Sequence, residues 1–153
     1  MDSTLIPNGI ATSLEWVNIG MFTVEYNPKR YDLYASLFVI DDEERIRDMK
    51  LSPMYDFINK YATCKKNGEK FKCYDTAYYK MQVVYGRTHS YIVAKMSNFT
   101  KLFDDIEKNG VQKYPLVLPE GKKFQIKDGH HRIACCMVLG YKKLICKVVR
   151  GQI

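Results

Sequence analysis

The residues best suited to chemistry lie in one short stretch, from Phe124 to Gly140 (FQIKDGHHRIACCMVLG). Apolar and polar residues alternate over Phe124–Lys127, and this two-residue period predicts a strand. An Asp-Gly-His-His-Arg run follows and leads into an apolar segment, which predicts a buried helix that ends before Gly140. A helix that starts directly after a strand has unpaired N–H groups in its first turn, and these favour an anion such as phosphate.

The predicted phosphate-binding set is this polar turn: Asp128, Gly129, His130, His131 and Arg132. Asp128 is expected to cap the helix, while Gly129 allows a positive φ or a close approach of the ligand to the backbone. We expect His131 and Arg132 to face the ligand in preference to His130. The alternative is that Asp128 is a plain cap and the histidines are solvated, but so many polar groups at one strand-to-helix turn favour the ligand role.

The region from Phe99 to Val149 resembles the C-terminal half of the ParB/sulfiredoxin-like domain. The resemblance rests on the segments KNG, PLVL, IKDGHHRIAC, LGYKK and LICKVV, which occur in that order. It implies a turn that holds nucleotide phosphates. The Asp-Gly-His-His-Arg form looks most like the free serine kinases and small ParB-like proteins of polysaccharide gene clusters. His130 stands where sulfiredoxins carry a catalytic cysteine, so sulfinic acid reduction is not expected.

The resemblance also predicts the organisation of the chain. It implies an α+β fold with a small mixed sheet and flanking helices, and 153 residues suit one domain. The core of a single domain over residues 1–153 would comprise residues 17–30 and 97–150. The insert, about residues 31–96, would be helical and rich in tyrosine, and would form a substrate pocket.

Local patterns predict the main elements. Ser52-Pro53 is a typical helix start, and its apolar positions predict an amphipathic helix over Ser52–Ala62. A second helix is expected over Phe99–Ile106, with Ser97 or Asn98 as its cap. The predicted strands are FTVEY before Asn27-Pro28, a hairpin of Pro115–Leu118 and Lys123–Lys127, and a last strand over Leu144–Val149.

Two acidic residues are candidate catalytic bases. In the serine kinases that the motif resembles, an acidic residue of the N-terminal region is the base, and Glu25 at the end of the first predicted strand is our first candidate. The alternative for Glu25 is a solvated residue at a strand edge. Glu44 belongs to an acidic run ahead of Ser52-Pro53 and is the second candidate, with Arg47 beside it as a substrate-binding residue.

The predicted insert contributes further candidates. Arg87 and His89 follow Gly86 in a predicted loop, from which they could reach an anionic substrate. Tyrosines alternate with basic residues over Tyr74–Tyr91, and such rings can stack on bases or sugars. Half-buried packing of these tyrosines is the favoured alternative.

Composition limits the partners. The net charge is +7, which suits phosphate ligands, nucleic acid or an acidic glycan, and is equally compatible with a plain basic surface. The absence of a signal-peptide pattern and of a long apolar run predicts a cytoplasmic protein without membrane partners. Five cysteines without C-x-x-C spacing predict neither a disulfide framework nor a zinc knuckle, so we assign no metal-ligating residues.

Together these features predict a nucleotide-dependent, kinase-like phosphotransferase that acts on a small-molecule or sugar hydroxyl, with ATP or ADP and Mg²⁺ as cofactors. His130 or His131 would contact the transferred phosphoryl group, and His131 is the favoured residue. The alternative is a non-catalytic ParB-like domain that binds nucleotide or nucleic acid. Nucleic acid is the less favoured partner because no helix-turn-helix or zinc module is recognisable. A nuclease ranks last, and the oligomeric state stays open.

Overall fold

A computed structural model of the chain describes residues 3–6, 10–25 and 46–152. These ranges form an α+β fold, as predicted. The strands are β1 Ser3–Ile6, β2 Ile10–Asn18, β3 Phe22–Glu25, β4 Ile46–Asp48, β5 Leu116–Glu120, β6 Lys123–Asp128 and β7 Lys143–Gln152. The α-helices are α1 Pro53–Asn67, α2 Ala77–Val84, α3 His89–Asn109 and α4 His130–Val138.

The strands form one mixed sheet in the order β1-β2-β7-β5-β6-β3-β4. Strands β3 and β6 pair in parallel, with Phe22 opposite Phe124 and Thr23 opposite Gln125. Strands β5 and β7 are also parallel, and the other pairs are antiparallel. Because β3 and β6 run in the same direction, their carboxyl ends lie at the same edge of the sheet. This pairing brings Glu25 next to the turn that precedes α4.

The predicted hairpin and last strand are confirmed as β5, β6 and β7. The strand predicted before Asn27-Pro28 is β3, which ends at Glu25. Residues before Trp16 contain few organising patterns, and we did not predict β1 or β2 from them. Both form because the long strand β2 pairs with β7 along its whole length, and β1 then pairs with β2.

Helix α1 begins as predicted, because the Ser52 hydroxyl accepts a hydrogen bond of 3.1 Å from the backbone N–H of Tyr55. Helix α3 begins at His89, well before the predicted start near Phe99. Its cap is Thr88, so the predicted Ser97 or Asn98 cap is wrong. The apolar stripe of the predicted helix continues backwards through buried residues: Ile92 and Met96.

A cluster of aromatic side chains joins helices α1, α2 and α3. The Phe57 ring lies 5.2 Å from Phe99 and 5.0 Å from Tyr78, centroid to centroid. Lys65 and Tyr61 of α1 also contact Asp104 of α3, each at 2.9 Å. These contacts hold α1 and α3 together, and Tyr78 joins α2 to the same cluster.

The middle of α4 packs in the core, where Ile133, Ala134, Cys135 and Cys136 are fully buried. Burial raises the pKa of the Cys136 thiol to about 12, and that of Cys135 further. These cysteines are therefore unreactive core residues at neutral pH. In the part of the chain that the structure describes, no helix is both long and apolar enough to cross a bilayer.

Candidate functional site

A cleft of about 670 Å³ lies where β3 and β6 end and α4 begins. Its volume is in the range typical of small-molecule sites, about 300–1,000 Å³. Strands β3 and β6 form one wall, the turn into α4 forms the floor, and helices α1 to α3 form the opposite wall. All five residues of the predicted phosphate-binding turn line this cleft: Asp128, Gly129, His130, His131 and Arg132.

The start of α4 has no side-chain cap. Gly129 occupies the N-cap position with φ 95°, and among the described residues no side chain accepts a hydrogen bond from the first turn. Asp128 is instead the last residue of β6, so its predicted capping role is wrong. Gly129 lies directly before the helix, so Asp128 comes one residue too early in the chain to be the N-cap. The first N–H groups of α4 therefore remain available to a ligand.

Gly129 is required by close packing as well as by its conformation. A Cβ atom at this position would lie 3.0 Å from Cβ and 3.2 Å from Cα of Pro115. A positive φ is already unfavourable for residues with a Cβ. The glycine predicted from the motif is thus the residue that lets β6 turn into α4 beside β5.

His131 is held by the aromatic cluster. Its Nε2 lies 3.0 Å from the Tyr78 hydroxyl, and its ring is edge-on to Phe99 with 4.4 Å between centroids. Burial, together with smaller effects of the positive charges of Lys95, His130 and Arg132, lowers the pKa of His131 to about 4. His131 is consequently neutral at pH 7. It can donate or accept a hydrogen bond, but it has no positive charge to offset the negative charge of a phosphate.

The positive charge that could bind an anion in the cleft comes from residues other than His131. Lys95 and Arg132 line the cleft, and neither forms an ion pair with any carboxylate of the described residues. Burial also lowers the pKa of His130, against the opposing charge of Asp128. Both histidines of the motif therefore favour the neutral form, and Lys95 and Arg132 supply unpaired positive charge.

Glu25 reaches the same cleft from β3. Its carboxylate accepts a hydrogen bond from the Gln125 side-chain amide, and Lys127 Nζ lies 3.9 Å away. Glu25 and Gln125 are 100 positions apart in the sequence, and the parallel pairing of β3 with β6 brings them together. The structure thus places the first candidate base beside the predicted phosphate turn, while its catalytic role stays a prediction.

The remaining candidates lie elsewhere. Glu44 is outside the described residues, and Arg47 lies on β4 opposite Val24, with a side chain that is also outside the description. Arg87 stacks over the Tyr91 ring at 5.2 Å, and neither it nor His89 lines the central cleft. His89 belongs to the first turn of α3 instead of the predicted loop.

Several cleft residues were not predicted. Lys95 and Tyr78 reach the cleft from α3 and α2, and nothing in their local sequence indicates this position. Gln125 and Lys127 could have been found, because alternate residues of the predicted strand must share one face. That face is the one that meets Glu25.

The described residues contain no group of three His, Cys, Asp or Glu side chains placed to hold a metal ion. A Mg²⁺ ion bound together with a nucleotide needs only one or two carboxylates, because phosphate oxygens and water supply the other ligands. Asp128 lines the cleft and fits that requirement, while Glu25 is the candidate base.

Comparisons with protein-family models, with curated proteins and with solved structures give no match to this chain. The function is therefore argued from the cleft and its residues.

Proposed function

We propose that the chain is a nucleotide-dependent phosphotransferase that transfers a phosphoryl group from ATP or ADP to a small-molecule or sugar hydroxyl. One observation carries the proposal: an uncapped helix start, two unpaired cations and a carboxylate all line a single cleft. The resemblance of the Asp-Gly-His-His-Arg segment to the free serine kinases points the same way.

The phosphates would bind at the start of α4. The N–H groups of His130, His131 and Arg132 supply hydrogen-bond donors there, and the helix dipole favours negative charge. The Arg132 guanidinium can bind two phosphate oxygens at once, and Lys95 adds a second positive charge from α3. Neutral His131, fixed by Tyr78 and Phe99, holds the turn in place.

The transfer step follows from the position of Glu25. The acceptor oxygen attacks the terminal phosphorus, and the bond from that phosphorus to the bridging oxygen breaks. The nucleotide leaves with one phosphate fewer, and the hydroxyl proton passes to the Glu25 carboxylate. Positioning and electrostatic stabilisation, with little covalent chemistry by the protein, suffice for such a reaction.

Asp128 is the residue that would hold a Mg²⁺ ion with the nucleotide, which leaves Glu25 free to act as the base. The ion would neutralise phosphate charge as the transferred group develops it.

A second candidate is a nucleotide-binding protein without turnover. It is favoured by the engagement of Glu25, whose carboxylate already accepts a hydrogen bond from Gln125 and lies near Lys127. These contacts occupy the carboxylate that would have to reach the acceptor hydroxyl.

The first test is the thermal stability of the protein with ATP, ADP and other nucleotides, each with and without Mg²⁺. A nucleotide at about a hundred times its Kd adds roughly 2.7 kcal/mol, or a rise in Tm of about 5–10 °C for a chain of this size. Arg132→Ala should abolish this rise. Lys142→Ala is the control, because it removes one exposed positive charge away from the cleft and should retain the full rise.

The proposal fails if no nucleotide raises Tm, or if the rise survives in Arg132→Ala. Glu25→Gln separates the two candidate functions, since it should bind nucleotide normally and lose transfer to a panel of hydroxyl acceptors followed by phosphorus NMR. Transfer that persists in Glu25→Gln would remove Glu25 as the base, and binding without transfer in the wild type would favour the second candidate.

A further inference from the structure

A groove continues from the cleft along the surface of α3. Its first cavity, of about 260 Å³, shares Lys95, Leu102 and His131 with the central cleft. A second cavity, of about 610 Å³, shares Ala94 and Asn98 with the first. We refer to these two cavities as the α3 groove. It follows α3 from Leu102 back to His89, roughly 20 Å at a rise of about 1.5 Å per residue.

The α3 groove has a positive charge that the described residues do not balance. Lys95 and Lys101 line it, and Arg87 lies against the ring of Tyr91 in its wall. None of these three side chains forms an ion pair within the described ranges. The described residues that line the groove include no carboxylate. An anionic occupant therefore fits its charge.

Flat rings alternate with these cations. The rings of Tyr74 and His89 are stacked, with 6.0 Å between centroids, and Tyr74 is 49% exposed. Tyr91 is 39% exposed and has the Arg87 guanidinium at 5.2 Å and Lys95 Nζ at 5.7 Å from its centroid. Cations that follow a backbone, together with exposed rings on which bases stack, are the features by which proteins bind single-stranded nucleic acid.

We propose that the α3 groove binds single-stranded nucleic acid. The strand's phosphates would meet Arg87, Lys95 and Lys101, and its bases would stack on Tyr91 and on the Tyr74–His89 pair. Because the groove and the central cleft share Lys95, Leu102 and His131, a strand end bound in the groove would lie beside the cleft and could place a terminal sugar hydroxyl there. This last step rests on the proposed function, in which that hydroxyl oxygen attacks the terminal phosphorus of the nucleotide and its proton passes to Glu25.

The test is fluorescence anisotropy of a short labelled oligonucleotide with the full chain and no nucleotide present. Three phosphate contacts predict that the affinity falls roughly twentyfold for a fourfold increase in salt, from a log–log slope of about −0.7 per contact. Tyr91→Ala should weaken binding about tenfold or more through the loss of one stacked base.

Tyr114→Ala is the matched control, because Tyr114 is also an exposed tyrosine, at 47%, and lines neither cavity of the groove. This variant should bind the oligonucleotide as the wild type does. Unlabelled duplex added in excess should not displace the labelled single strand. Circular dichroism establishes that both variants are folded.

Absence of binding, or equal effects of Tyr91→Ala and Tyr114→Ala, overturns the proposal. Tighter binding of a polyuronate that Tyr91→Ala weakens would also overturn it, and would assign the groove to an anionic glycan. Anisotropy is independent of the nucleotide-induced rise in Tm, so either result can fail alone. If the oligonucleotide binds and a nucleotide raises Tm, the wild type should transfer labelled phosphate to the oligonucleotide. Tyr91→Ala should lose this transfer at low strand concentration.

Discussion

Helices α3 and α4 both begin with histidine, but they begin in opposite ways. The Thr88 hydroxyl caps α3, and His89 in its first turn is exposed. Helix α4 follows a left-handed glycine without a side-chain cap, and His131 in its first turn packs against Tyr78 and Phe99. The first arrangement completes the helix by itself, whereas the second leaves N–H groups facing a cleft. The contrast teaches that the missing cap, more than the histidines, distinguishes the site.

The largest expected effect comes from adding one carbon at the start of α4. Gly129→Ala forces a Cβ against Pro115 in a left-handed conformation, and should cost roughly 3 kcal/mol, a fall in Tm on the order of 10 °C. Gly140→Ala, at the other end of α4, has φ 86° and open space around the new carbon, and should cost only about 1 kcal/mol. Thermal denaturation of both variants makes the measurement. Equal losses would show that Pro115 does not constrain the turn.

The next effect is the pH dependence of stability, which should differ between the buried His131 and the exposed His89. The pKa of His131 is lowered from 6.5 to about 4 in the folded state, so the unfolded chain takes up the proton first as the pH falls below 6.5. The contribution of neutral His131 to the free energy of unfolding is therefore fully present above pH 6.5 and is lost as the pH falls towards 4. Between pH 7 and pH 5 the wild type should lose about 2 kcal/mol more than His131→Gln does.

Urea denaturation at the two pH values measures this difference. His89→Gln is the matched control, because the exposed ring on α3 contacts only Tyr74 among the described aromatic residues. It should follow the wild type at both values. A wild-type pH dependence that His131→Gln leaves unchanged would mean that His131 is not held in its neutral form.

The smallest effect compares the two residues that precede the helices. Thr88→Ala removes the hydroxyl that accepts the Tyr91 N–H at 3.3 Å, and should lower the free energy of unfolding by about 1 kcal/mol. Asp128→Ala removes no cap, and should change it by less than about 0.5 kcal/mol. Denaturant titration of both variants tests this order, and a larger loss in Asp128→Ala would restore the carboxylate as a structural residue of α4.

Much of the fold follows from local patterns. The helix start at Ser52, the hairpin β5–β6 and the turn into α4 were predicted from them, and the α+β class was predicted from the family resemblance. The predicted start of α3, near Phe99, lies ten residues after its actual start at His89. The prediction used only the apolar positions closest to Gly110, although Ile92 and Met96 belong to the same apolar face. Strands β1 and β2 were missed because a strand at this edge depends on its partner, β7, more than on its own residues.

The sequence by itself determined the turn: a glycine between a strand and an apolar helix, followed by two histidines and an arginine. Only the tertiary structure decided which groups meet there. The parallel pairing of β3 with β6 brings Glu25 to Lys127, and the packing of α2 and α3 brings Tyr78 to His131. Local periodicity fixes which face a residue occupies, but the neighbours of that face are set by contacts between distant segments. The neutral state of His131 likewise arises from burial, which no motif specifies.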